Sequence, residues 1–183
     1  MKKHSIFVIC ILLVQILYAE SSLKLKSPFK SDFTISRTFG YYKNASDVLE
    51  LHEGIDFVVN SGTAIYPVLN GTVIEVGFNN ELGNYVTIKH SNNYTSRYCN
   101  LNSFRVKKGQ KVTTKNIIAT SGNTGISTGP HMCFRLYDYN NVAINPTEYF
   151  QNLPNPTTPP DQELLNSSFQ EEEITDEVIF LDK

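Results

Sequence analysis

The segment NYVTIKHSNNYTSRYCN, residues 84–100, decides the fold. Val86 and Ile88 alternate with Thr87 and Lys89, so one face of the run is apolar and the other polar. That is the period-2 pattern of a half-buried strand. SNN at 91–93 interrupts the run, and a second run starts at Tyr94. The segment therefore predicts a β-hairpin turning at SNN. Similar short runs surround it: IDFVV (55–59), GTVIEVGF (71–78), IIATS (117–121) and HMCFRLY (131–137). All are rich in Val, Ile, Thr and aromatics, with Gly, Asn and Ser between them. No stretch of the body keeps a helical period. A mainly β, antiparallel domain with one core is expected over roughly residues 25–150.

The 183-residue chain has material for such a core. Trp is absent, but 10 Tyr and 11 Phe supply the bulk. A net charge of −2 gives no reason to expect a nucleic-acid partner. The charge is unevenly spread, with eight acidic residues and one basic between Asp161 and Lys183. Residues 20–160 carry 13 Lys and Arg against 10 Asp and Glu, about +3. A slightly basic body with an acidic tail suits an anionic partner for the body, a tail that folds back on it, or a tail that serves solubility alone.

The N-terminus reads as a secretory signal over residues 1–19. Lys2 and Lys3 precede an apolar run from Ile6 to Leu17, and Ala19 offers a small residue at a cut. The run is shorter than a membrane span of roughly 20 residues, and an uncleaved anchor is the alternative to a cleaved signal. No second such segment follows, so the mature chain is expected to be exported, without a membrane span. Residues 20–50 form a lead-in segment and 51–150 the main domain. NLPNPTTPP (152–160) has four prolines and cannot continue a sheet. Residues 151–183 are expected to be a Pro-rich linker and an acidic, mostly disordered tail, with room for a short helix around 161–172.

Two short stretches could carry chemistry. HEGIDF places His52 and Asp56 four residues apart across a Gly turn, and both are zinc-capable. STGPHMCFRL (127–136) places His131 and Cys133 two apart, on one face if the run is a strand. Read alone, the second stretch is half a metal site, half a disulfide, or two ordinary buried residues. Signal cleavage would remove Cys10 and leave Cys99 and Cys133, which in an exported protein suggests a disulfide by default. Gly122, Gly125 and Gly129 do not make a phosphate loop, since no Gly-Lys-Ser/Thr follows. They read as shaping the turn that carries His131.

Taken together, HxGxDF, GxVxxVG, GNYVTIKH, VKKGQKV and SGNTGxSTGPHxxF stand in one order over about residues 50–146. In that order and spacing they resemble the M23 zinc metallopeptidases of the lysostaphin/LytM type. The resemblance implies an antiparallel β domain whose sheet floors a groove, and cleavage of peptidoglycan peptides in the bacterial envelope or periplasm. It implies one zinc ion held by His52, Asp56 and residue 133, with residues 131 and 100 assisting catalysis. His131 matches the family. Cys133 and Asn100 stand where the family has His.

Cys133 remains a competent zinc ligand, but His, Asp and thiolate leave the ion neutral where two His and one Asp leave it at +1. Asn100 can donate a hydrogen bond but cannot take a proton. Weakened activity is expected. The alternative is a non-catalytic module that binds the wall or activates a separate cell-wall hydrolase. Strand alternation also predicts that Cys99 turns away from the groove if Asn100 faces it. A Cys99–Cys133 bond would then need a bulge or a register change.

Overall fold

The computed structural model describes residues 23–43 and 46–157. The signal peptide expected at 1–19, and the tail and helix expected beyond residue 157, lie outside the described residues. Twelve strands follow in chain order. They are β1 (Thr34–Arg37), β2 (Gly40–Lys43), β3 (Leu49–His52), β4 (Ile55–Val58), β5 (Ala64–Ile65), β6 (Gly71–Asn79), β7 (Gly83–His90), β8 (Thr95–Phe104), β9 (Lys111–Val112), β10 (Ala119–Ser121), β11 (His131–Tyr137) and β12 (Ala143–Ile144). A 3-10 turn at Pro146–Glu148 is the one helical element among the described residues. No helix among them is long and apolar enough to cross a membrane.

The main sheet runs β1-β4-β11-β8-β7-β6-β9, with β10 pairing β5 and β8, and β12 pairing β11. All these pairs are antiparallel. β2 and β3 form a separate two-stranded ribbon. The hairpin expected at 84–100 is present as β7 and β8, joined through residues 91–94. The short strands that the sequence did not announce are mostly two to four residues long, too short for alternation to register.

Register gives the sheet two different faces. Phe57 stands opposite Met132, Ile55 opposite Phe134, Phe134 opposite Tyr98, Tyr98 opposite Val86 and Ile88 opposite Val73. All are buried and form the core, which also takes in Leu25, Phe29, Ile35 and Phe150. Its aromatic rings meet edge to face: Phe33–Phe57 at 5.2 Å, Phe134–Phe150 at 5.4 Å and Tyr98–Phe134 at 5.3 Å. Such contacts supply packing that would otherwise call for Trp. At the far end, Leu153 packs on the core and Thr157 donates from its backbone N–H to the Ile35 carbonyl at 2.8 Å. The chain thus still touches the body at residue 157.

The opposite face is polar. Cys133 stands opposite both Asp56 and Cys99, Arg135 opposite Arg97, Arg97 opposite Thr87, and Thr87 opposite Glu75. This face is the floor on which the candidate site is built.

Candidate metal centre

His52, Asp56 and Cys133 each offer a donor atom, and the three donors lie within 4.8 Å of one another. His52 ends β3, Asp56 sits in β4, and Cys133 faces Asp56 from β11. The turn between β3 and β4 passes tightly against β11. A Cβ on Gly54 would run into the Phe134 carbonyl, so only glycine lets both donors reach the same point.

The donor geometry suits a cation. His52 Nδ1 is 2.8 Å from the Thr38 carbonyl, which can only accept, so Nδ1 carries the proton. In the neutral ring Nε2 then presents a lone pair. That lone pair faces Asp56 Oδ1 at 3.0 Å and Cys133 Sγ at 3.7 Å, whose S–H can donate in the absence of a metal. A cation placed among the three would take the Nε2 lone pair, the Asp56 carboxylate and the Cys133 sulfur as ligands. A tetrahedral zinc with N and O at ~2.0 Å and S at ~2.3 Å sets N···O about 3.3 Å and N···S about 3.5 Å apart. The observed spacings are close to both.

Burial and neighbouring charge act differently on the two acidic donors. Burial by itself raises the Asp56 carboxyl, but the hydrogen bond and charge of His52, with lesser contributions from His131 and Cys133, hold it below the usual carboxylate range. Burial, and next the Asp56 charge, pushes the Cys133 thiol well up. A bound cation would reverse that by stabilising the thiolate.

His131 stands beside the centre, its Nε2 4.0 Å from Asp56 Oδ1. Its Nδ1 lies 2.8 Å from the Gly129 carbonyl and 3.0 Å from Ser127 Oγ. The Nδ1 proton is thereby committed, and Nε2 is left as a base facing the site. The loop before β11 is braced from several sides. Ile126 N–H donates to the Glu81 carbonyl, Thr124 Oγ1 to the Leu101 carbonyl, and His131 N–H to the Gly122 carbonyl. Gly125, at φ +78°, packs against Gly83 where no side chain would fit. Gly122 likewise has no room for a Cβ against Asn102, whereas Gly129 stands in open space, so the expectation holds for the first two of the three glycines.

Asn100 is differently placed. It has a left-handed backbone, φ +59°, at an irregularity in the β7–β8 pairing between Asn84 and Val86. Two residues of β8, Cys99 and Asn100, there oppose Tyr85 alone, which is a β-bulge. The Asn100 N–H donates to the Leu82 carbonyl and its Nδ2 to the Thr124 carbonyl, both at 2.8 Å. The side chain holds the His131-bearing loop.

The bulge also corrects the expected direction of Cys99. Simple alternation turned it away from the groove. On the β11 side the pairing is regular, and Cys99 lies directly opposite Cys133 on the same face. Both are buried free thiols, clustered with Leu82. Burial pushes the Cys99 thiol up to about 12.

Sequence reasoning missed three supports. The Thr38 carbonyl carries no signal, because any residue supplies a carbonyl. Arg135 continues the 131, 133, 135 alternation and was legible as facing the floor. It donates to Glu53 at 3.1 Å and to Glu81 at 3.2 Å, tying the metal-site turn to the β6–β7 turn. Tyr42 closes the third side, its ring edge-on to His52 at 6.0 Å.

Comparison with known proteins agrees with this architecture. The family model for Peptidase family M23 matches residues 50–146. A metalloprotease of Buchnera aphidicola is 37% identical over 124 residues, 67% of this chain and 33% of that protein. The peptidoglycan DD-endopeptidase ShyA of Vibrio cholerae is 45% identical over 85 residues, 46% of this chain and 20% of its own length. This chain thus spans only a fifth to a third of these curated relatives. A zinc-containing peptidase from Vibrio cholerae superposes with a TM-score of 0.62 at 32% identity, covering 69% of this chain and 39% of that one. The catalytic domain of lysostaphin from Staphylococcus simulans gives 0.57 at 28% identity, covering 63% of this chain and 90% of that one. The matched span takes up more than half of the sequence and includes His52, Asp56, Asn100, His131 and Cys133, and on that ground the chain belongs to peptidase family M23.

Proposed function

We propose that this chain is an exported, zinc-dependent peptidase domain acting on peptidoglycan peptides, with slower chemistry than a site with histidine at positions 100 and 133. One observation carries the proposal. His52 Nε2, freed by the Thr38 carbonyl, converges with the Asp56 carboxylate and the Cys133 sulfur on one point. His52, Asp56 and Cys133 would hold the ion, which when bound supplies Lewis acidity toward a peptide carbonyl and toward water. His131 takes a proton at Nε2, because Gly129 and Ser127 hold the opposite nitrogen. Asn100 holds the loop that presents His131 and moves no proton. The sheet's polar face receives the peptide, and its apolar face keeps the floor rigid. Relatives named for peptidoglycan or glycyl-glycine endopeptidase activity support the substrate class and a location outside the cytoplasm.

A second reading is favoured by Asn100 itself, whose amide is engaged by Thr124. In that reading the domain binds the wall, or activates a separate hydrolase, without cutting. Metal analysis and peptide release decide between them. Reduced wild-type chain is expected to hold one zinc, lost in Cys133→Ser, and to release peptides from purified peptidoglycan. His131→Ala should slow release by roughly 10²–10⁴-fold while keeping the zinc. Zinc without released peptides selects the second reading. Reduced protein without zinc overturns the metal site.

A further inference from the structure

Cys133 has two partners within reach on the floor of the sheet. His52 Nε2 is 3.7 Å from its sulfur, and Cys99 stands directly across from it on β8. Directly opposed residues of antiparallel strands have Cα atoms about 4.5–5.5 Å apart, within the ~4.4–6.8 Å that a disulfide spans. The two side chains share one face and one buried cluster. The bulge at Asn100 lets Cys99 take this place while residue 100 braces the neighbouring loop.

We propose that Cys99 and Cys133 form a reversible disulfide, and that closing this bond and binding the metal exclude each other. The proposal rests on the metal centre described above. A sulfur committed to a disulfide is no longer a thiolate donor, so only His52 and Asp56 would remain. The oxidant is a low-molecular-weight disulfide. Cys133 is the more accessible thiol, 6% exposed against 0% for Cys99. It loses its proton and attacks one sulfur of the reagent, which releases one thiol carrying that proton. Cys99 then loses its proton and attacks the Cys133 sulfur of the mixed disulfide. The protein disulfide forms and the second thiol leaves. The cysteine pair gives up two electrons and two protons, and the reagent receives them as two thiols. Outside the cytoplasm, where such bonds persist, this would make metal occupancy a function of redox state.

The test treats the full chain carrying Cys10→Ser, so that no third thiol takes up glutathione, with oxidised glutathione, with and without prior zinc loading. Intact mass and zinc content are followed together. The metal-free chain is expected to lose about 2 Da and its zinc capacity, with both recovered on reduction. Zinc-loaded chain is expected to close at least roughly 10-fold more slowly, since the metal holds the Cys133 sulfur. In that background Cys99→Ala and Cys99→Ser should both bind zinc when reduced and accept glutathione at Cys133 without losing 2 Da. Three outcomes overturn the proposal: no mass loss in the Cys10→Ser chain, zinc retained alongside the disulfide, or zinc lost from both reduced Cys99 variants, which would make Cys99 a ligand. If the reduced Cys10→Ser chain binds no zinc, the metal centre and the exclusion fall together. The mass measurement then shows separately whether the bond forms.

Discussion

The Nδ1 of His52 lies 2.8 Å from the backbone carbonyl of Thr38, in the link between β1 and β2. This one contact chooses the tautomer of the ring and aims Nε2 at Asp56 and Cys133. Thr38 is itself held by Tyr42. The Tyr42 hydroxyl accepts from Thr38 N–H and donates to the Thr38 carbonyl, both at 2.9 Å. Removing that hydroxyl should loosen the carbonyl without touching a ligand. Tyr42→Phe is expected to lower zinc affinity by about 10–100-fold, as loss of an outer hydrogen-bond partner does at such sites. Competition with a chromophoric chelator measures it. An unchanged affinity would mean that Thr38 does not orient the ligand.

Arg135 should behave as a clamp. Its two arms hold Glu53, next to His52, and Glu81 in the β6–β7 turn. Its Nε is buried without a partner, and besides these two carboxylates the guanidinium has the Tyr137 hydroxyl beside it. Both carboxylates are partly exposed, which limits their worth. Arg135→Leu is expected to cost about 1–3 kcal/mol in denaturant unfolding, and Arg135→Lys less, because one arm survives. Equal losses in the two variants would show that packing of the stem matters more than the fork.

Gly54 admits no side chain. A Cβ would meet the Phe134 carbonyl on β11, and backbone cannot swing aside as a flexible side chain can. Gly54→Ala should therefore part β4 from β11 or shift the turn. A loss of about 2–3 kcal/mol and weaker zinc binding are expected together. A stable variant with intact zinc binding would show that the turn relaxes.

His90 sets a pH dependence away from the metal. Burial lowers its pKa from 6.5, against the upward pull of the Asn70 carbonyl, and the Lys89 charge adds to the lowering. Its Nδ1 faces that carbonyl at 3.0 Å and its Nε2 faces Ser96 Oγ at 2.8 Å. As pH falls, the unfolded chain takes up the proton first. The stability that neutral His90 contributes is full above pH 6.5 and is lost as pH falls toward the lower folded value. His90→Gln should be less stable at neutral pH but show a flatter acid limb in unfolding experiments. An unchanged slope would assign the acid limb to other groups.

Much of this was legible in the residues. The alternation of Val86, Thr87, Ile88 and Lys89 announced a two-faced sheet, and register carried that division through five strands. Local period suffices there because a pleated strand sends neighbours to opposite sides wherever it lies. The spacing of His52 and Asp56, and of His131 and Cys133, announced donors that the fold gathers within 4.8 Å or places beside them. The direction of Cys99 was misread for a stated reason. A bulge cancels alternation, and Asn tolerates a left-handed backbone better than other residues with a side chain but does not by itself announce one in YCNL.

The sequence by itself determined the strand pattern, the apolar and polar faces, and the residue types able to hold a cation. Those follow from side-chain chemistry and a period of two, which need only near neighbours. The tertiary structure alone decided that the Thr38 carbonyl orients His52, that Arg135 joins Glu53 to Glu81, and that Cys99 faces Cys133. Each of these depends on register between strands distant in sequence, and register is set by packing of the whole core.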